Sequence, residues 1–360
     1  MLSLPEALSP FQDAPRRRSL AALFRATATA AALAALSACG GGGRDGTTPD
    51  PPAPSPPPAP TPAPSSGAPI AAQMSVPVPV GYGADRLAAF KRLNEVRLSA
   101  GLGMLAQNAL LDRAAQAHAD WIIANDSFTH EETVATTGFT GVHWWDRDEA
   151  LGYVPVGGDE VMVGPVHGAQ GVDALFNTVY HRAGMLAFEP VDVGIGWSAG
   201  AAASISMPLV IDMTCPGVDL IRGLGQSAQP SVNGVAIWPL DGAHGVSLRL
   251  GLESPNPVPD QDVSTLGTPI SLTVDNEATI ATISFVLSDA ASGSIVPSQL
   301  LTQQSDPHLL IPRSFVALVP LNPLAPGVTY QAIYQGTSTE LLSGTRRSID
   351  RTWTFTTAAW

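Results

Sequence analysis

Residues 110–122 read LLDRAAQAHADWI, and this stretch is the main evidence for the fold of the region from 84 to 215. Its apolar residues recur at intervals of three and four, the spacing of one face of an α-helix. Residues 87–96 repeat the pattern before Gly101, which is expected to end that helix. Residues 191–196 and 206–213 resemble strands. The region from 84 to 215 is therefore predicted to combine helices with strands.

The period of the apolar residues changes to two after about Gly217. Alternation over short runs broken by Pro and Gly predicts an all-β sandwich. The change places a domain boundary near residues 216–230. The alternating apolar positions lie in four runs, at 246–252, 283–287, 328–334 and 353–357.

The beginning of the chain has the three parts of an export signal. A basic cluster, Arg16 to Arg18, precedes a short apolar run from Ala26 to Ala35, and small residues follow. The run is shorter than the roughly 20 residues that span a bilayer. The sequence LSAC at 36–39 resembles the lipobox of bacterial lipoproteins, in which the Cys thiol is acylated, for example with palmitate. This predicts a lipid anchor at Cys39; the alternative is a cleaved signal with a chance Cys.

The segment after Cys39 predicts a tether. It is rich in Gly and then in Pro, and such sequence forms slack or extended polyproline chain rather than a packed core. The expected organisation is a signal at 1–38, a disordered tether at 39–80, one domain at 81–216 and another at 217–360. Gly40 after the anchor resembles lipoproteins sent to the outer membrane. The formal net charge of −13 argues against binding to nucleic acid.

The order of motifs in the first domain resembles the CAP superfamily of cysteine-rich secretory, antigen-5 and pathogenesis-related-1 proteins. The resemblance implies an α-β-α sandwich with a cleft at one end. The motifs are LNEVR at 93–97, GL at 101–102, AHA at 117–119, FTH at 128–130, GFT at 138–140, GY at 152–153, DEV at 159–161, HR at 181–182, ML at 185–186 and VGIG at 193–196.

In that family two His and two acidic residues line the cleft. The resemblance implies His130 and His181 as the histidines and Glu160 as the first acid, with Asp159 as the other candidate. The second acid is expected three residues before His181, where this chain has Thr178. The chain therefore departs from the complete set of four.

Two imidazoles with a carboxylate or water suit zinc with an open position. Glu160 would orient one imidazole or act as the base for a bound water. The alternative is a hydrogen-bonded polar cluster that positions loops. His118 lies on the apolar face of the predicted helix, which predicts a satisfied core histidine rather than a ligand.

The second domain resembles bacterial Ig-like domains through PLAPGVTY at 323–330 and WTFTT at 353–357. The overall prediction is an α+β chain, with a CAP-like domain followed by an Ig-like β-sandwich. The leading hypothesis is a lipid-anchored envelope protein that binds a lipid, sterol, peptide or glycan in a His/Glu-lined cleft. The alternatives are a metal-dependent hydrolase using the same residues and a structural or adhesion protein. Whether the chain is an enzyme stays open.

Overall fold

The computed structural model describes residues 72–198, 209–216, 234–275, 277–341 and 343–359. The predicted signal, Cys39 and most of the predicted tether lie outside these residues, as does most of the predicted domain boundary. The described residues form a mixed fold of five helices and three four-stranded sheets. None of the described helices has both the length and the apolarity needed to cross a bilayer.

The first region places helices on both faces of one sheet, with strand order β1-β3-β4-β2. Apolar residues of α2 pack on one face, and those of α1, α4 and α5 pack on the other. The predicted helices at 87–96 and 110–122 are confirmed. The predicted strands at 191–196 and 206–213 are confirmed over 192–196 and 209–213, and residues 206–208 lie outside the described residues. The elements are α1 (Ala84–Ser99), β1 (Ala106–Gln107), α2 (Ala109–Asn125), α3 (Trp144–Ala150), β2 (Pro155–Val163), α4 (Gly168–Phe176), α5 (Tyr180–Met185), β3 (Asp192–Trp197) and β4 (Leu209–Pro216).

From residue 234 onward, the described residues form strands and one short 3-10 helix, Val263–Thr265. Two sheets, ordered β5-β7-β10-β9 and β6-β12-β11-β8, share an apolar core that includes Leu272, Val316, Tyr334 and Phe355. The strands are β5 (Val235–Trp238), β6 (Ala243–Val246), β7 (Ile270–Val274), β8 (Ala278–Asp289), β9 (Ser298–Leu301), β10 (Phe315–Pro320), β11 (Thr329–Glu340) and β12 (Arg346–Thr357).

Two details of the predicted alternation are wrong. The run at 246–252 is not a strand, because β6 ends at Val246 and Leu252 is exposed. In β8, Ile280 and Phe285 both face the core although they are five positions apart, an odd offset that would put them on opposite faces of a regular strand, and Ile283 is exposed. The cause is a register shift opposite Gln335 in β11, since a bulge moves the following side chains to the other face.

The two regions are joined by shared apolar packing. The ring of Phe176 stacks on that of Trp238 at 5.1 Å between centroids. Val179, Tyr180 and Ala183 belong to the same buried cluster as residues of the C-terminal strands. The α4–α5 segment is therefore packed against the C-terminal region.

Close contact between β3 and α2 depends on two glycines. A Cβ atom on Gly194 would lie 2.1 Å from the backbone of Leu111, and one on Gly196 would lie 2.2 Å from that of Ala115. Such distances are impossible without movement of the helix. The glycines therefore allow the short distance between the sheet and α2, the helix that carries His118.

We expect Gly194→Ala to destabilise the protein by about 1–3 kcal/mol, because the added methyl group pushes α2 from the sheet. Denaturant unfolding measures the change. Gly157→Ala in β2 is the control, since its Cβ would make ordinary contact with Glu189 at 3.6 Å. Equal stability of the two variants would contradict this account.

Candidate functional site

The centre of the candidate site is the carboxylate of Glu160. Strand β2 buries this residue against the α2 face of the sheet, and its side chain has no exposed surface. One oxygen, Oε2, accepts a hydrogen bond from the guanidinium of Arg147 on α3. The other, Oε1, lies 2.9 Å from Nδ1 of His130 and 3.8 Å from Nε2 of His118. The structure thus brings one cation and two imidazoles to a single buried carboxylate.

The charge of Glu160 determines which ring nitrogen of His130 carries the proton. Burial opposes ionisation of Glu160, but Arg147, His118 and His130 together hold its pKa well below the usual range. An ionised carboxylate only accepts hydrogen bonds, so Nδ1 of His130 carries the proton. A neutral ring with that proton keeps its lone pair on Nε2. The side chain of His130 is 21% exposed, which makes it the solvent edge of the buried cluster.

His118 is a satisfied core histidine, as its helical position predicted. It has no exposed surface, its Nδ1 lies 3.0 Å from Glu132, and its Nε2 lies 3.1 Å from the carbonyl oxygen of Thr129. Burial lowers its pKa, against the opposing effect of Glu160. The apolar periodicity of α2 indicated burial of His118 but carried no signal for its approach to Glu160.

The loop formed by residues 126–143 connects α2 to α3 and carries His130. Glu132 holds this loop by accepting hydrogen bonds from the backbone N–H groups of Thr140, at 2.6 Å, and Gly141, at 3.3 Å. Arg147 donates to the carbonyl oxygen of His130 at 3.2 Å. The side chain that neutralises Glu160 therefore also fixes the backbone of the histidine beside it.

The remaining predicted residues have different surroundings. His181 lies on α5, with Nδ1 at 3.1 Å from the hydroxyl oxygen of Thr178 and 3.5 Å from a carboxylate oxygen of Glu253. Among the described residues, no hydrogen bond or ion pair joins His181 to His130 or Glu160. Asp159 faces away from His130 and packs on α5, where a Cβ on Gly184 would lie 1.8 Å from its carboxylate.

Two further acids are buried near Glu160. Asp212 on β4 is its cross-strand partner, and burial raises the pKa of Asp212 well above the ordinary value. Burial likewise raises the pKa of Asp148 on α3 to about 8, although Arg147 acts in the opposite direction. Arg147 thus holds the pKa of Glu160 down, whereas burial raises the pKa of both neighbouring aspartates.

An aromatic pair lies at the start of α3. Trp144 is buried, whereas Trp145 is half-buried and stacks on the His143 ring at 4.3 Å between centroids. Both ring nitrogens of His143 lie near carboxylates, at 2.9 Å from Asp146 and 3.4 Å from Glu131. Since Glu131 directly follows His130, these contacts attach the 126–143 loop to α3.

Zinc was the cofactor expected from the two histidines. A zinc site usually has three or four protein ligands. Within the described ranges, no group of three or more His, Cys, Asp or Glu side chains is arranged to hold a metal ion. The described residues around Glu160 do not supply such a set.

Comparisons with known proteins give distant structural neighbours. No family model matches the chain, and no curated protein matches it. An outer surface protein from Borrelia burgdorferi is 16% identical, with a TM-score of 0.29, covering 35% of this chain and 88% of that one. An extracellular protein containing an SCP domain, from Bacillus anthracis, is 16% identical with a TM-score of 0.31. That match covers 37% of this chain and 41% of the other, so less than half of the second protein is matched.

The buried acids predict a pH dependence of stability. Asp148 has a folded pKa of about 8 against an ordinary value of 3.8, so above pH 3.8 only the unfolded chain releases this proton readily. Its contribution therefore destabilises the fold increasingly as pH rises from 3.8 to about 8. We expect Asp148→Asn to raise Tm at pH 7.5, by about 2–4 °C for each kcal/mol recovered, with a smaller gain at pH 4.

Calorimetry at the two pH values measures this effect. The control is Glu149→Gln, which removes a carboxylate from the next, exposed position. An Asp148→Asn variant with the same gain at both pH values would contradict the assignment of a buried, protonated carboxyl.

Proposed function

We propose that this chain is an exported, lipid-anchored envelope protein with a CAP-like domain. We propose further that the domain binds, at His130, a ligand with an apolar chain or ring and a hydroxyl head. The observation that carries the proposal is the contact between His130 and the buried, ionised Glu160. It leaves Nε2 of a half-buried ring as a fixed hydrogen-bond acceptor. A hydroxyl group is the ligand donor that suits such an atom.

The surroundings of His130 support an apolar ligand. Phe128 is 40% exposed and Val134 is 65% exposed, and both lie on the same loop as His130. Sites that bind a chain or ring with a polar head combine apolar side chains with a few polar groups. A lipid or sterol hydroxyl fits this combination better than a glycan, which would need many polar partners.

The test compares two probes with the same chain and different heads, 1-dodecanol and dodecanoate. The full mature protein should bind dodecanol more tightly, since its hydroxyl donates to Nε2 whereas a carboxylate does not. We expect His130→Ala to weaken dodecanol binding roughly fivefold, the equivalent of about 1 kcal/mol for one hydrogen bond. Titration calorimetry gives both affinities.

The matched control for this test is His167→Ala. His167 is also a partly exposed histidine paired with a carboxylate, with Nδ1 at 2.6 Å from Asp85. Its removal should leave dodecanol affinity unchanged. Equal losses in both variants, or no preference for the alcohol, would count against the proposed site.

The metal-dependent hydrolase is the alternative proposal, favoured by the same feature, because a carboxylate on Nδ1 leaves Nε2 as a metal-ligand atom. It requires stoichiometric metal in the purified protein and a fall in Tm on chelation. If both were found, and if both were lost in a His130→Ala, His181→Ala double variant, zinc would replace the apolar ligand as the preferred occupant.

The proposed anchor predicts different behaviour for the two cysteines. Cys39→Ser should release the protein from membranes or block its maturation, because the serine hydroxyl cannot take the thioether lipid. Cys215→Ser should leave membrane fractionation unchanged. Detergent partitioning with immunoblotting measures both, and a Cys39→Ser protein that still partitions like wild type would exclude the lipobox.

A further inference from the structure

Exposed apolar side chains collect on the segment that precedes α1. Within residues 72–83, the side chains of Met74, Val78 and Val80 are largely exposed. Residues 51–84 contain no Asp, Glu, Lys, Arg or His, although the whole chain carries a formal net charge of −13. This part of the surface is therefore apolar and uncharged within an acidic protein.

The segment is fixed to the domain by hydrogen bonds near both of its ends. The N–H of Met104 donates to the carbonyl oxygen of Gln73 at 2.7 Å, and Nε2 of Gln73 donates to that of Val191 at 3.0 Å. The side-chain amide of Gln107 accepts from the N–H of Val80 at 2.7 Å and donates to its carbonyl oxygen at 2.9 Å. Because the backbone is fixed in this way, the fold itself holds the apolar side chains in solvent.

A further exposed valine lies at the same end of the first sheet. Val154 is largely exposed, and the hydroxyl of the preceding Tyr153 donates to Asp192 at 3.1 Å. Asp192 begins β3, which pairs with the β1 strand whose Gln107 holds Val80. The exposed side chains therefore gather where β3 begins. They form one surface, the apolar end, made by Met74, Val78, Val80 and Val154.

The part of the chain that carries the proposed lipid joins the domain at the apolar end. The described residues begin at Ala72, directly before Gln73, and the preceding sequence leads back to Cys39. In the extended form that its Pro-rich composition predicts, at about 3 Å per residue, the stretch from Cys39 to residue 71 reaches roughly 100 Å. A lipid on Cys39 therefore brings the domain to a bilayer without holding it against the surface.

We propose that the apolar end is a membrane-contact surface, which lies against the lipid bilayer that holds the anchor. A bilayer with neutral headgroups suits it, because an acidic chain is repelled by anionic lipid whereas an uncharged apolar surface gains from leaving water. A contact too weak to bind a free protein becomes effective once the anchor raises the local concentration of bilayer. The inference rests on the lipid anchor of the proposed function, and it adds the orientation of the domain at the membrane.

The experiment attaches the mature chain, residues 39–360, to phosphatidylcholine vesicles. A Cys215→Ser background leaves Cys39 as the only thiol, and a maleimide lipid is coupled to it, so the result does not depend on natural acylation. Mass spectrometry follows amide hydrogen exchange in the coupled and uncoupled protein. In the coupled protein we expect exchange over residues 72–83 to slow by roughly threefold or more, because bilayer contact restricts local opening and access to water.

A Val78→Asp, Val80→Asp double variant should lose this protection, because each substitution removes an apolar side chain and adds a charge that is costly to take out of water. The matched control is a Leu252→Asp, Ile283→Asp double variant. It adds the same charge at apolar side chains that are 89% and 75% exposed, against 76% and 83% for the two valines. The control should keep the protection of the wild type.

Equal exchange in the coupled and uncoupled wild type overturns the inference, and so does equal loss of protection in the two double variants. A wild type that sediments as a dimer without vesicles, while the valine double variant sediments as a monomer, also overturns it, because a second copy then covers the apolar end. Failure of the anchor is a separate result. It appears when Cys39→Ser leaves cell fractionation unchanged, whatever the vesicle experiment gives.

Discussion

The first region depends on the ion pair between Glu160 and Arg147. A carboxylate with no exposed surface is costly unless a charge and hydrogen bonds compensate it. Arg147 provides the charge, and it also donates to the carbonyl oxygen of His130 in the 126–143 loop. One guanidinium therefore joins β2, α3 and the loop. Loss of either partner would leave the other charge buried and unpaired, which is why these elements form a single unit.

The pKa values of the neighbouring acids shift in the opposite direction to that of Glu160. Arg147 is the cation beside Glu160, and burial raises the pKa values of Asp148 and Asp212. The pKa of Glu160 is lowered instead. The opposite directions of these pKa shifts follow from one cation in a low-dielectric interior, because burial alone raises the pKa of a carboxyl group and a neighbouring cation lowers it.

The sequence predicted those features that local periodicity determines. The apolar spacing of α2 predicted both the helix and the burial of His118. The alternating pattern failed to predict the exposure of Ile283, because the bulge that turns this side chain outward depends on the pairing of β8 with β11. The sequence also carried no signal for the approach of Glu253 to His181. Glu253 lies in a Pro-rich connector, and it reaches His181 only through the packing of the two regions. Contacts between distant segments depend on tertiary packing, which single-sequence patterns do not encode.

The two carboxylate–imidazole pairs share one property that bears on function. Glu160 is compensated by Arg147, and Glu253 by two backbone N–H groups, so neither carboxylate depends on its histidine for satisfaction. In a purely structural pair, the imidazole would be the main donor to the buried acid. Here His130 is an additional donor to Glu160, and its partly exposed side chain carries the Nε2 lone pair. That surplus supports a role in contacting a ligand rather than in holding the fold.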